Sequence, residues 1–185
     1  SLDELERLTM PEFVELDQPL PPIKQTPQQA APHWIDLGDE GTTLWVVADL
    51  LVPKAGKKAA FALATASGAE RVILGIDAQG RLTATLYQET VTGPKLEPGS
   101  RHSLLIRIHS HRENPEELSV QIGPPGEIPA KPEDWTLTNR KGSSKANLSS
   151  VVLRNDAGDS AGFGDIRVGL TREALAAKNS KKKTQ

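Results

Sequence analysis

Apolar residues recur at every second position in short runs from residue 34 onward, and turn signals cut each run after roughly 8–12 residues. Leu44, Val46, Ala48 and Leu50 alternate with Trp45, Val47, Asp49 and Leu51 until Pro53 stops the run. Residues 61–65 and 71–76 come next; Asp77-Ala78-Gln79-Gly80 is turn chemistry, and residues 81–87 complete a hairpin. Pro98-Gly99 marks a turn before residues 103–109, and a polar loop over 111–117 leads into residues 118–122. Gly123-Pro124-Pro125-Gly126 ends that strand. Residues 127–147 lack a sustained period, with one turn of helix expected near Pro132-Glu133-Asp134-Trp135. Residues 148–154 and 164–170 read as two last strands, and residues 171–175 as the start of a short helix. This pattern predicts an all-β, two-sheet antiparallel sandwich and no internal repeat.

The flanks read differently. Ser1-Leu2-Asp3-Glu4 has a capping-box pattern, and Leu2, Leu5 and Leu8 share a helical face, but Pro11 limits such a helix to one or two turns. Pro11, Pro19, Pro21, Pro22, Pro27 and Pro32 keep the rest of this N-terminal arm extended and without ladder donors. Phe13-Val14-Glu15-Leu16 is a candidate edge strand within it. The expected organisation is therefore an arm or linker over 1–32, a sandwich over 33–175 and a disordered Lys-rich tail over 176–185. Ser1 in place of Met is what a processed or excised piece of a longer protein would show.

Composition narrows the partners. Formal net charge is -2, which disfavours nucleic acid and anionic membranes. No apolar run approaches the ~20 residues of a spanning helix. Cysteine is absent, which excludes thiolate and disulfide chemistry.

Gly162-Phe163-Gly164-Asp165-Ile166-Arg167-Val168-Gly169 alternates apolar and polar residues, with a carboxylate and a guanidinium facing outward. It resembles the closing strand of LamG-like, concanavalin A-type lectin-glucanase jelly rolls, usually Phe-Asp-Glu-Ile-Arg-Ile-Gly. Gly41-Thr42-Thr43-Leu44-Trp45, the hairpin containing Leu74-Gly75-Ile76 with Gly80 and Leu82, and the strand Ser103-Leu104-Leu105-Ile106-Arg107-Ile108 match the family in order. So does Glu117-Leu118-Ser119-Val120-Gln121-Ile122-Gly123-Pro124, where relatives often end a strand in Asn-Pro. The resemblance spans residues 34–175 and implies a binding appendage of a secreted, cell-surface or periplasmic bacterial protein, packed beside other domains of a parent chain. Gly164 stands where the family has Asp, so a role carried by that first carboxylate does not transfer.

Catalytic patterns are thin. Gly158-Asp159-Ser160-Ala161-Gly162 is one residue from a serine-protease nucleophile loop, with His33 upstream, but reads as an Asp/Ser/Gly turn. No predicted strand carries the alternating carboxylates of jelly-roll glucanases; Glu113, Glu116 and Glu117 cluster beside Pro115 in a loop. His109 and His111 share a strand face, with His102 at the strand's other end, and no third metal ligand is indicated. The resemblance implies a structural Ca²⁺ near the last strand, for which Asp165 with Asp36, Asp39 or Glu40 would supply the charged oxygens. Trp45, Trp34 and Tyr87 are the candidate sugar-stacking rings, with Arg107 or Gln121 donating hydrogen bonds.

The expected function is a non-catalytic binding or interaction module recognising a glycan or a protein surface through Trp45, Tyr87, Arg107 and Gln121. A glycoside hydrolase or lyase on the same fold, or a structural packing domain, is the alternative.

Overall fold

A computed structural model describes residues 35–36, 43–65, 67–110, 116–128, 134–142, 147–148, 150–155, 161–169, 172 and 175. The described strands are β1 (Ile35–Asp36), β2 (Thr43–Leu51), β3 (Ala59–Ala64), β4 (Glu70–Ile76), β5 (Arg81–Leu86) and β6 (Glu89–Lys95). They continue with β7 (Arg101–His109), β8 (Glu117–Gly123), β9 (Leu137–Asn139), β10 (Asn147–Leu148), β11 (Ser150–Asn155) and β12 (Gly162–Gly169). The first sheet runs β12-β2-β7-β8-β9 and the second β11-β3-β4-β5-β6, with β1 and β10 as a separate two-stranded ribbon. Every pairing is antiparallel. The all-β sandwich expected from the period-two pattern is what the chain forms.

The alternation fills the core. Leu44, Val46, Ala48 and Leu50 point inward from β2 and meet Phe61 and Leu63 of β3 and Val72, Leu74 and Ile76 of β4. Their neighbours in sequence point the other way, as a pleated strand requires. Two elements went unforeseen. In β6, Glu-Thr-Val-Thr-Gly-Pro-Lys is an edge strand of which only Val91 packs on the core, and it contains Pro94; such a strand tolerates proline and has almost no apolar period. β9 is three residues long. Asp134 and Trp135 are not helical, whereas Arg172 and Leu175 are. The arm over 1–32, with its expected helix and edge strand, and the tail over 176–185 lie outside the described residues.

Two buried asparagines join the sheets at opposite edges. The end strands β11 and β12 belong to different sheets, and so do β6 and β9. Asn155 of β11 accepts the Phe163 N–H through Oδ1 at 3.0 Å and donates Nδ2 to the Phe163 carbonyl at 3.1 Å. Its amide thus occupies the place of a ladder partner for β12. At the other edge Asn139 donates Nδ2 to the carbonyls of Ala84 (3.0 Å) and Glu89 (2.8 Å), and its Oδ1 accepts the Lys141 N–H (2.9 Å). Glycine is required beside each. Gly162 has φ +128, and a Cβ there would collide with the Asn155 amide. A Cβ on Gly142 would run into the Leu86 carbonyl.

The closing strand does not alternate strictly, and this corrects the sequence reading. With a fixed period of two, Phe163 would share a face with Asp165 and Arg167, opposite Ile166 and Val168. All three apolar residues are buried in the core. A register break between Gly164 and Arg167, opposite Asp49 and Val47, resolves the conflict. Asp165 takes φ +45 at that bulge, a conformation Asp tolerates better than most residues. The extra residue turns Phe163 inward, where it meets Phe61 edge-on at 5.1 Å and 72°.

The bulge also sets an electrostatic cost. Asp49 faces outward on β2 beside it, and burial, then the Asp165 charge, raises its pKa, against smaller lowering by Arg167 and Arg101. A carboxyl whose folded pKa exceeds its unfolded one binds more protons when folded. Its contribution to stability is full below the unfolded pKa (about 3.9) and is lost as pH rises through the folded value. Asp49→Asn should therefore melt higher than the parent at pH 7, with the gap closing near pH 3; a gap independent of pH would refute this. Asn155→Ala strands two buried backbone groups and Asn139→Ala three, one of them fully buried, at the two sheet edges, and each should cost about 2–4 kcal/mol in urea unfolding. A loss as small as that of an exposed Asn→Ala would show that the amides do not join the sheets.

Candidate functional site

The outer face of the first sheet is the polar side of β2, β7, β8 and β9. Its rows are set by the register: Thr43, His109 and Glu117; Trp45, Arg107, Ser119 and Thr138; Val47, Leu105 and Gln121; Asp49, Ser103 and Gly123. Trp45, Arg107 and Gln121, expected to act together, do share this face. Gly169 of β12 lies opposite Trp45 on its other side, so that ladder position sets no side chain beside the indole.

The fourth expected residue is elsewhere. Tyr87 sits in the β5–β6 turn of the second sheet with φ +59, 42% exposed, under the Arg71 guanidinium at 4.8 Å. The sequence reading did not place a residue that the structure adds to the set, Trp135. Its ring is 6.4 Å from that of Trp45 at 32°, and the Arg107 guanidinium lies over it at 4.8 Å. Trp135 belongs to the segment between β8 and β9, where no period ties it to a face; the signal available was only that it is one of three tryptophans.

Charge extends the set. Arg107 Nη2 is 3.8 Å from Glu117 Oε2, and Glu117 Oε1 accepts from Arg140 Nε at 2.6 Å. The carboxylate thereby holds both guanidiniums on one side of the face. Thr43 Oγ1 and His109 Nδ1 are 2.6 Å apart in the adjoining row. Among the described residues, Arg107 Nε and Gln121 Oε1 are buried without a hydrogen-bond partner, and Gln121 as a whole is 9% exposed. A buried donor and a buried acceptor left open on one face are a cost that a ligand hydroxyl would offset.

The face has two halves. Toward the bulge, Val47 and Leu105 are capped by Leu175, with Trp45 and Ile128 packed against them. Arg167, 7% exposed, fixes that cap by donating Nη1 to the Leu175 carbonyl at 3.1 Å. The half left open holds the half-buried rings of Trp45 and Trp135 with Arg107, Glu117 and Arg140.

For the cation expectation, Asp165 stands on the bulge 3.8 Å from Arg167 Nη2. Asp36 stands on β1 opposite Asn147, in the separate ribbon, and Asp39 and Glu40 lie outside the described residues. A guanidinium beside Asp165 opposes a dication there, and the described residues contain no group of three or more His, Cys, Asp or Glu arranged to hold a metal. His102 turns away from the face of His109, with Nε2 2.8 Å from Ser100 Oγ; burial lowers its pKa. His33, His111, Glu113 and Ser160 lie outside the described residues.

No protein-family model matches the chain, and no curated protein matches its sequence. Solved structures do resemble it. The Ruminococcus gnavus IT-sialidase CBM40 bound to alpha2,3 sialyllactose matches with a TM-score of 0.51 at 14% identity, over 93% of this chain and 98% of that one. The same module bound to alpha2,6 sialyllactose matches with a TM-score of 0.50 at 15% identity, with the same coverage. A chain described as a sialidase matches over 70% of this chain with a TM-score of 0.46 and 10% identity, and this chain spans only 13% of its length. At these identities the likeness is one of fold: the chain has the lectin-like β-sandwich fold of that module.

Proposed function

We propose that this chain is a non-catalytic carbohydrate-binding module of LamG-like or closely related lectin type, carried by a larger secreted or cell-surface protein. The observation that carries this reading is the open half of the first sheet's outer face. Two tryptophan rings adjoin there beneath a guanidinium whose buried Nε has no partner among the described residues, and Gln121, in the neighbouring capped row, keeps a buried oxygen likewise unpaired. An indole offers a flat apolar surface to the C–H face of a pyranose, while Arg107 and Gln121 supply a donor and an acceptor for hydroxyls at fixed positions. Glu117 and Arg140 hold Arg107 in place, which lowers the ordering cost of binding. The fold likeness to a module whose structures contain sialyllactose supports a glycan over other small molecules. Among the described residues, no helix is long and apolar enough to cross a membrane.

A non-catalytic role fits the charges at this face. Glu117 spends both carboxylate oxygens on guanidiniums, Oε1 on Arg140 and Oε2 on Arg107, the use of a carboxylate that positions cations. Among the described strand residues of this face, the other carboxylates, Asp49 and Asp165, stand at the capped end.

A glycan array followed by calorimetric titration of the whole chain tests the reading. Trp135→Ala should weaken the binding of any glycan found by about tenfold, in line with the loss of one stacked ring, and should leave the melting temperature nearly unchanged. Gln121→Leu should weaken it through hydroxyl recognition alone. An array negative throughout, or binding indifferent to both substitutions, would refute the assignment.

A further inference from the structure

The outer face of the second sheet is apolar along β3, where the outside of a two-layer sandwich would be polar, while Thr83, Thr85 and Thr90 occupy its β5–β6 side. Ala62 and Ala64 of β3 and Val152 of β11 point away from the core and, with Ile73 of β4, form a cluster of their own. Ala62 stands between Val152 and Ile73 in the ladder. Yet Ala62 and Ala64 are 0% exposed and Val152 3%. Ala60 and its ladder partner Gly75 extend the same strip. The result is a shallow trough of small side chains along β3, bordered by Val152 and Arg154 on one side and Ile73 on the other. The apolar groups of the cluster are strand residues of that sheet itself.

The route of the chain indicates what overlies them. Residues 1–34 precede β1, which pairs with β10, Ile35 opposite Leu148. Residue 149 alone separates β10 from β11, the strand beside β3 at the sheet's edge. The N-terminal segment therefore joins the fold at the margin of this trough. Its Pro19-Leu20-Pro21-Pro22-Ile23 run suits the surface. Polyproline II geometry has three residues per turn, so Leu20 and Ile23 project from the same side. Proline lacks an N–H, so such a segment lies on a sheet face with fewer donors to satisfy. The 11 residues between Ile23 and Ile35 reach up to about 36 Å when extended, and β11, β3 and β4 together span only about 10 Å.

We propose that Pro19-Leu20-Pro21-Pro22-Ile23 lies along the trough of Ala60, Ala62 and Ala64 as a third layer, with Leu20 and Ile23 against the alanines. The segment shields an apolar sheet face that would otherwise favour association with other chains, and it does so independently of the ligand face on the first sheet.

The chain has no cysteine, so Ala62→Cys supplies a single thiol to report on the trough in the full-length protein. Its labelling by a maleimide should be slow, and adding Leu20→Glu and Ile23→Glu should accelerate it at least tenfold in protein that remains folded by circular dichroism. Labelling unchanged by the two glutamates would overturn the proposal. So would protection that fades on dilution and survives the glutamates, which would assign the trough to a second copy of the chain. Should Ala62→Cys fail to fold, Leu20→Cys with Ala64→Cys gives an independent reading. A monomeric intrachain disulfide on oxidation supports the contact, and its failure to exceed that of Leu20→Cys with Thr138→Cys, on the opposite sheet, contradicts it.

Discussion

The two sheets are held in one arrangement by a pair of buried side-chain amides. An apolar core attracts without direction, so the contact between Phe61 and Phe163 and the aliphatic layer around it favour stacking but leave sliding cheap. Asn155 and Asn139 remove that freedom. Each carries a donor and an acceptor in one rigid plane and uses both on backbone groups or turns at a strand end. A barrel would satisfy these edges by closing its ladder; here a side chain does so, one at each edge. The arrangement explains why Gly162 and Gly142 lie where they do, since a Cβ at either would displace the amide or the strand it clasps.

The proposed ligand face depends on that closure. Asn155 fixes the start of β12, the bulge at Asp165 comes within the same strand, and Arg167 beyond it holds the Leu175 carbonyl over Val47 and Leu105. Capping one half of the sheet face leaves the other half as the place where aromatic rings remain half-exposed. Core geometry, bulge and cap are thus successive consequences of the single stretch from Gly162 to Gly169.

The sequence made legible whatever obeyed a strict period. In residues 44–51, 71–76, 81–86 and 103–109 a core-facing apolar residue recurs at every second position, and their strands formed as expected. β6 escaped because an edge strand with one core residue has no alternation to read. The closing strand was recognised, but its bulge was not. Period two and the requirement to bury Phe163, Ile166 and Val168 together are incompatible, and only a register break satisfies both. Trp45, Arg107 and Gln121 could be placed on one face because odd positions of β2, β7 and β8 point outward together. Trp135 could not, since it sits in an irregular segment and joins the others by tertiary packing. Tyr87 was misgrouped for a related reason: a turn residue at φ +59 inherits no face from the strand before it.

The two outer faces of this sandwich have opposite chemistry. The first carries indoles, guanidiniums and unpaired buried polar atoms, a combination that recognises hydroxyls and makes poor protein packing when left dry. Along β3 the second carries alanine, flanked by glycine and valine, which offer little to a sugar and favour close van der Waals contact. A chain that needed only a stable sandwich would place polar side chains on both. Keeping the alanine strip apolar is tolerable only if it is covered, and the proposed cover from residues 19–23 would leave the tryptophan face as the surface available to a partner. On the proposed reading, the asymmetry between the sheets fits a module with one binding side.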